Sequence, residues 1–302
     1  MKKNVKKINE EIKRVKYFGI CCVLYSNLYK ITKLKFFSKL KHKAILNYLN
    51  KNLSEYLKDD IVNNHELIDD HSCIWVFWMQ GFENAPELVK KCLNSIKSNC
   101  GNHPVIELTS ENIEEYIDIP DFIKEKLNSK VISMACFSDF LRLSLLEKYG
   151  GVWMDATLFM TNEFDKDITN FSFYSIKGNS STQLYVSECR WTAFFMASSK
   201  KNPFIIKCRE LFLHYFEKND LLIDYFLIDY ILTVVYNRYT WAKREIDRIP
   251  NNNLNVYWLV NNLEKNFNQK EWTKITKNTY IFKLNHRLDI SSFDNTSYYR
   301  KI

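Results

Sequence analysis

The chain has 302 residues, a length that predicts one large domain or one domain with an appendage. Hydrophobic residues make up 46% and charged residues 26%, which is enough to bury a sizeable core. The net charge is +8, but the charged residues are distributed unevenly along the chain. Residues 1–43 hold thirteen Lys/Arg and two Glu, so the other 259 residues have a net charge of −3. A nucleic-acid-binding core is therefore excluded.

The first 70 residues predict helices. Apolar or small residues recur at intervals of three and four along one predicted helix face, at Val5, Ile8, Ile12, Val15, Gly19 and Cys22. A basic amphipathic helix of this kind can lie on an anionic membrane surface, or it can pack on the domain with its lysines in solvent. We therefore expect residues 1–70 to form a basic helical extension, with 1–43 as the candidate membrane contact, and 71–302 to form the main domain.

The apolar stretch 17–29 is shorter than the roughly 20 residues that a membrane span needs. No secretory signal is evident. The eight cysteines form no C-x-x-C pair and stand mostly in apolar runs, which favours a reduced environment. We therefore expect a cytoplasmic protein, which can also attach peripherally to the inner face of the plasma membrane.

The main domain begins at Cys73, where CIWVFWMQG predicts a buried strand that ends in a loop. Helices are predicted at 87–97, after Thr109 and after Pro120, with a strand at 104–108 between the first two. This alternation of strand and helix predicts an α/β fold with a mostly parallel sheet flanked by helices.

A helix predicted at 133–148 runs into Gly150-Gly151, which can supply its left-handed cap, and a short strand then leads to Asp155. Residues 172–188 are rich in Ser, Gly and Asn and predict a loop. The later predicted elements are a strand at 191–197, helices at 203–215 and 221–239, a strand at 279–284 and a charged turn at 285–289.

Asp139 and Arg142 lie three residues apart on the predicted helix 133–148, so their side chains share one face. Their neighbours are almost all apolar, which predicts a buried helix. Because buried charges must be paired or liganded, the two side chains either satisfy each other or face a polar cleft.

Asp155 follows a strand at the place where open α/β sheets bind their ligands. With Thr157 two residues on, it can reach a hard cation such as Mg²⁺ or Mn²⁺, although one carboxylate and one hydroxyl make a thin ligand set.

The stretch S-D-x-L-R-x-x-x-L-x-x-Y-G-G-V-W-x-D-A-T at 138–157 resembles the core motif of glycosyltransferase family 32 and, more closely, the related capsular polysaccharide synthesis branch. It is more distantly similar to the glucosyltransferase domain of the large clostridial toxins. Residues 74–97 and 190–205 resemble flanking parts of the same family. The resemblance covers about residues 73–215 and implies a GT-A fold, in which a Rossmann-like sheet binds a nucleotide sugar and a divalent cation.

The resemblance implies a role for each matching residue. Trp78 would stack on the nucleotide base, Asp139 and Arg142 would bind the hydroxyls of the donor sugar, and Trp153 stands beside the metal-binding Asp155. Gln80 and Ser138, in the matching stretches, are expected in the donor site as well.

Thr157 replaces the second acid of the family's D-x-D motif, as in the capsular branch, and removes one charge from the expected cation site. His286 and Arg287 follow the last predicted strand and could complete that site, or could belong to an ordinary surface turn.

The implied reaction moves a hexose from a nucleoside diphosphate sugar, expected to be a UDP-sugar, to a glycan or lipid-linked acceptor in capsular or other cell-surface polysaccharide synthesis, with retention at the anomeric carbon. Two alternatives stay open. One is a toxin-like glycosyltransferase that modifies a protein, and the other is a non-catalytic scaffold of a polysaccharide assembly complex.

Overall fold

The structure, a computed structural model, describes residues 2–58, 66–163, 166–178 and 184–302, with only the backbone for 2–7 and 166–167. The helices in these ranges are α1 (Lys2–Phe18), α2 (Ile20–Thr32), α3 (Lys35–Asn52), α4 (Glu87–Ser98), α5 (Ile113–Tyr116), α6 (Asp121–Asn128), α7 (Met134–Tyr149), α8 (Pro203–Lys218), α9 (Leu227–Arg238), α10 (Thr240–Arg248), α11 (Gln269–Thr276) and α12 (Tyr298–Lys301). The strands are β1 (Ile74–Phe77), β2 (Val105–Leu108), β3 (Gly151–Asp155), β4 (Leu158–Met160), β5 (Phe173–Ser175), β6 (Phe195–Ser198) and β7 (Ile281–Lys283).

Five strands form the central sheet in the order β2-β1-β3-β6-β5. The first three are parallel to one another, whereas β6 pairs antiparallel with both β3 and β5. Helices flank this sheet, so the predicted α/β class with a helical N-terminus is confirmed, with a parallel half and an antiparallel edge. A second, two-stranded sheet joins β4 to β7 in antiparallel register.

The centre of the sheet is apolar, as the run at the start of the main domain predicts. All four residues of β1 are buried, and so are the first four of β3. Helix α7 packs beside these strands and buries most of its surface, and the side chain of Ser133 caps its first turn by accepting from the amide of Cys136 at 3.2 Å. The helix that carries Asp139 and Arg142 is thus held against the middle of the sheet.

The N-terminal segment is not one continuous helix. Gly19 has φ 81° and separates α1 from α2, so the predicted single face through Cys22 is wrong at this point. Ile8 and Ile12 are exposed on α1, whereas Cys22 is buried in the core. The left-handed conformation that glycine adopts without steric cost ends the first helix one turn before that cysteine.

The N-terminal helices pack on the rest of the chain. Arg14 of α1 donates to the carbonyl oxygens of Leu222 and Ile223 at 3.0 and 2.8 Å. His42 of α3 shares a hydrogen bond of 2.7 Å with the hydroxyl of Tyr230 in α9. The division at residue 70 stays a prediction.

In the main domain, the expected helix at 221–239 begins only at Leu227 of α9, and the expected loop at 172–188 contains the buried strand β5. Its residues 179–183 lie outside the described ranges.

Candidate functional site

A group of polar side chains lies where β3 ends. Asp155 is the last residue of this strand, and the parallel register pairs it with Phe77, the last residue of β1. Trp78 follows directly on β1, so the two neighbouring strands present Asp155 and Trp78 at the same edge. This carboxyl edge is where open α/β sheets bind ligands.

Helix α7 brings Asp139 and Arg142 to Asp155. One terminal nitrogen of Arg142 donates to Asp139 Oδ1, and the other donates to Asp155 Oδ1 at 3.0 Å. The indole Nε1 of Trp153 donates to the same Asp155 oxygen at 3.0 Å, and the Arg142 guanidinium lies 5.1 Å from the centroid of the Trp153 ring. Of the two alternatives for Asp139 and Arg142, the structure shows the mutual pair, and Arg142 in addition contacts Asp155 at the end of β3.

Lys283, the last residue of β7, completes the group. Its ammonium donates to Asp155 Oδ2 at 2.6 Å and to Thr157 Oγ1 at 2.8 Å. We call Asp139, Arg142, Trp153, Asp155, Thr157 and Lys283 the Asp155 cluster. Sequence reasoning missed Lys283, although a charged residue inside the apolar run Ile281–Leu284 is the same signal that singled out Asp139 and Arg142.

The backbone fixes this lysine. Lys283 stands opposite Leu158 in the antiparallel pairing of β4 with β7, and its amide donates to the Val256 carbonyl at 2.8 Å. The amide of Leu284 donates to the carbonyl of Thr157, also at 2.8 Å. The ammonium is therefore carried by a paired strand rather than by a free loop.

The pKa values of the two carboxyl groups in the Asp155 cluster are shifted in opposite directions. Burial raises the pKa of Asp139 to about 7, against the opposing charge of Arg142. Burial acts in the same direction on Asp155, but the charges of Lys283 and Arg142 outweigh it and hold the pKa of that carboxyl below its ordinary value. Asp155 is thus the anion that the two cations share, whereas Asp139 can exchange a proton near neutral pH.

A third buried carboxylate lies close by. Asp229 of α9 accepts a hydrogen bond of 2.9 Å from the indole of Trp191, and burial raises its pKa to about 6 although this bond opposes the shift. Its charge is among those that raise the pKa of Asp139.

The other predicted site residues lie outside the Asp155 cluster and differ in their exposure and contacts. Trp78 is half-buried, and its ring meets that of His286 edge-on with 5.3 Å between centroids. Gln80 is exposed in the turn after β1. Ser138 is half-buried and its hydroxyl donates to the carbonyl of Ala135 at 2.7 Å. His286 therefore contacts the residue expected to bind the base, and within the described ranges no hydrogen bond or ion pair joins it to Asp155.

The expected cation site of Asp155, Thr157 and His286 does not fit a divalent metal. Across the parts of the chain that the structure describes, no three His, Cys, Asp or Glu residues are grouped so as to hold one. Both oxygens of Asp155 already accept hydrogen bonds, and the only donor common to Asp155 and Thr157 in those parts is the ammonium of Lys283. A Mg²⁺ ion is usually held by one or two carboxylates with phosphate oxygens and waters, so at this position it would have to displace Lys283 from Asp155 and Thr157.

The chain is similar to proteins that are already known. A family model described as "Capsular polysaccharide synthesis protein" matches residues 26–302. The chain is 25% identical over 184 residues to "O-glycosyltransferase braB" of Annulohypoxylon truncatum, and this match covers 54% of the chain but 42% of that protein. A solved structure titled "PaToxG Glycosyltransferase" is 16% identical with a TM-score of 0.40, and the likeness covers 82% of this chain and 98% of that one.

Proposed function

Because the chain belongs to the capsular polysaccharide synthesis protein family, we propose that it is a glycosyltransferase that moves a hexose from a nucleoside diphosphate sugar, a UDP-sugar in the first instance, to a hydroxyl of a glycan or lipid-linked glycan. The observation that carries the proposal is the buried guanidinium of Arg142, which joins Asp139 to Asp155 at the carboxyl edge of β3. A curated relative named as an O-glycosyltransferase supports the same class of reaction. The acceptor and retention at the anomeric carbon belong to the proposal.

The geometry supports distinct roles within the site. The ring of Trp78, half-buried at the end of β1, offers an apolar surface for a nucleotide base. Asp139 and Arg142 offer a hydrogen-bond acceptor and donors for sugar hydroxyls, and their mutual pairing holds both in place. Binding the donor in one orientation lowers the entropic part of the barrier to transfer.

Substituting Arg142 tests the proposal. The full chain is incubated with a panel of UDP- and GDP-sugars, and release of the free nucleoside diphosphate is measured. We expect Arg142→Lys to lower the rate with the accepted donor by roughly 10- to 100-fold, because the single nitrogen of lysine does not reproduce the two separate terminal nitrogens with which the planar guanidinium reaches Asp139 and Asp155.

Arg209→Lys is the matched control, because Arg209 also pairs with a carboxylate, that of Glu147 at 3.3 Å, but stands on α8 outside the Asp155 cluster. Equal turnover of wild type and Arg142→Lys would remove the donor-binding role. Absence of turnover with every donor would favour a non-catalytic scaffold. Transfer to a protein in preference to lipid-linked sugars would favour the toxin-like alternative.

The proposal includes attachment to the inner face of the plasma membrane. No helix in the described residues is both long and apolar enough to cross a bilayer. Among the side chains of α1 and α2 that the structure describes, the large apolar ones that are exposed are Ile8, Ile12, Ile20, Leu24 and Ile31. We call these five the N-terminal apolar set. They stand within a segment of net charge +11, and this combination is typical of helices that lie on anionic membranes.

A further inference from the structure

The ammonium of Lys283 occupies the position at which a D-x-D metal ion is expected. It contacts one oxygen of Asp155 and the hydroxyl of Thr157, which are the two residues that should have held the cation. The contacts are 2.6 and 2.8 Å and come from a side chain that is 22% exposed, beside an Asp155 side chain that is 28% exposed. A ligand at the edge of the sheet can therefore reach this ammonium.

The Asp155 cluster has no excess negative charge that would attract a metal. Arg142 and Lys283 carry two positive charges, and Asp139 and Asp155 carry at most two negative ones. Two like unit charges 4 Å apart repel by roughly 4 kcal/mol at an effective dielectric constant of 20, and a divalent ion roughly doubles that figure for each neighbour. A divalent cation added beside Asp155 would face two such neighbours at once.

Thr157 fits an ammonium better than it fits a divalent ion. A hydroxyl oxygen accepts a hydrogen bond from Lys283 while it remains uncharged, so it adds no negative charge to the site. A second carboxylate at position 157 would instead leave the cluster negative and draw in a metal. The threonine at position 157, in place of the second acid, therefore complements the ammonium of Lys283.

On the basis of the proposed function, we propose that Lys283 replaces the divalent cation: its ammonium binds the diphosphate of the donor, and transfer proceeds without metal. An ammonium has three N–H donors, and Asp155 and Thr157 use two of them within the described ranges, so one is left for a phosphate oxygen.

The charge of Lys283 acts where negative charge develops. In the transfer, the bond between the anomeric carbon and the diphosphate oxygen breaks, and its electron pair stays on that oxygen. The acceptor oxygen bonds to the anomeric carbon, and the acceptor proton leaves with the diphosphate. A fixed ammonium beside the departing oxygen stabilises this charge without any reorganisation of the site.

Calorimetric titration with UDP and with GDP tests the inference on binding alone, in EDTA and in MnCl₂. We expect the wild type to bind the preferred nucleotide with the same affinity in both buffers. Lys283→Met should weaken binding in EDTA by about tenfold or more, whereas Lys283→Arg should keep most of the affinity because the positive charge remains. Lys277→Met is the control, because Lys277 is exposed on the same segment before β7.

A second variant gives the converse result. Lys283→Asp places a carboxylate opposite Asp155 and Thr157, so binding should be lost in EDTA and restored by MnCl₂. Wild-type binding that needs MnCl₂ would overturn the inference while leaving the proposed function intact. Failure to bind UDP or GDP in either buffer would overturn both. Far-UV circular dichroism of each variant confirms that the fold is retained.

Discussion

Asp139 is 8% exposed, and burial raises the pKa of its carboxyl group from 3.8 to about 7. The folded state therefore holds this proton more tightly than the unfolded chain does. Its contribution to stability is complete below about pH 4 and is lost as the pH rises toward 7, and each unit of pKa difference corresponds to about 1.4 kcal/mol. The stability of the protein should depend on pH through this residue.

We expect Asp139→Asn to flatten that dependence, since the amide does not titrate. Urea unfolding of wild type and variant at pH 5, 6, 7 and 8 gives the free energy of unfolding of each as a function of pH. The difference between the two profiles reports on Asp139 alone, because Asp229, whose pKa is also raised, to about 6, is present in both proteins. The wild type should lose on the order of 1–4 kcal/mol more than the variant across this range. Parallel profiles would show that Asp139 does not exchange its proton in this interval.

Some residues of the site could be predicted from the sequence and others could not. Asp139 and Arg142 could be predicted because charge within an apolar helix is conspicuous, and the structure places them together. Lys283 could not be assigned a partner, because its contact with Asp155 spans 128 positions in the chain and depends on the pairing of β7 with β4. Whether Asp155 and Thr157 hold Mn²⁺ or Mg²⁺, as the resemblance implies, stays a prediction that the comparison of EDTA with MnCl₂ decides.

At the scale of elements, the turn between α7 and β3 leaves no room for side chains. Gly150 and Gly151 have φ 71° and 94°, and a Cβ on Gly151 would collide with the carbonyl oxygen of Cys73. The indole of Trp75 also donates to the Gly150 carbonyl at 2.9 Å. The glycine pair therefore lets β3 approach the segment before β1 closely enough to align Asp155 with the end of β1.

Gly151→Ala should destabilise the fold more than Gly81→Ala. Gly81 has a similar φ of 80°, with an extended ψ of 146°, and would have no neighbour within 4 Å of a Cβ, so its substitution isolates the strain of the positive φ, which costs about 1–3 kcal/mol. The collision at Gly151 should add roughly 1–3 kcal/mol. Thermal and urea denaturation measure both variants, and equal losses would mean that β3 can shift away from Cys73 without cost.

Elements that lie in continuous apolar runs could be predicted, whereas β4 and β5 could not. The strand β1 and the helix α7 stand out in the sequence because burial forces apolar residues along their whole length. The strands β4 and β5 have three residues each, too few for alternation to be read, and their pairing with β7 and β6 decides that they are strands. Tertiary contacts override weak local preference in such segments.

At the scale of the whole molecule, the α/β class follows from the order of elements, but the relation of the N-terminal helices to the domain does not. Phe18 and Cys22 are buried in the same core as β1 and α7, and the match to the family begins at residue 26, within α2. These contacts join residues far apart in sequence, so no local pattern announces them. Truncation of the N-terminus would remove these core residues and destabilise the fold, so it is a poor test of membrane attachment.

Substitutions on the exposed surface test membrane attachment without removing core residues. Ile12 and Ile20, from the N-terminal apolar set, are 50% and 67% exposed, so replacing both with Asp should leave the fold intact. Because burying each isoleucine contributes about 1.5–3 kcal/mol, the double variant should bind vesicles containing phosphatidylglycerol roughly tenfold or more weakly than the wild type. Leu254→Asp, at a residue that is 58% exposed outside the N-terminal helices, should bind as the wild type does.

Ionic strength separates the two contributions to this binding. Sedimentation of the wild type with anionic vesicles should fall between 0.1 and 1 M NaCl, because the Debye length shortens from about 10 to about 3 Å. With phosphatidylcholine alone, the lysines of α1 and α2 have no anionic surface to attract them, so little protein should sediment at either salt concentration. Equal sedimentation with both lipids, or no sedimentation with anionic vesicles at low salt, would contradict attachment through this basic and apolar surface.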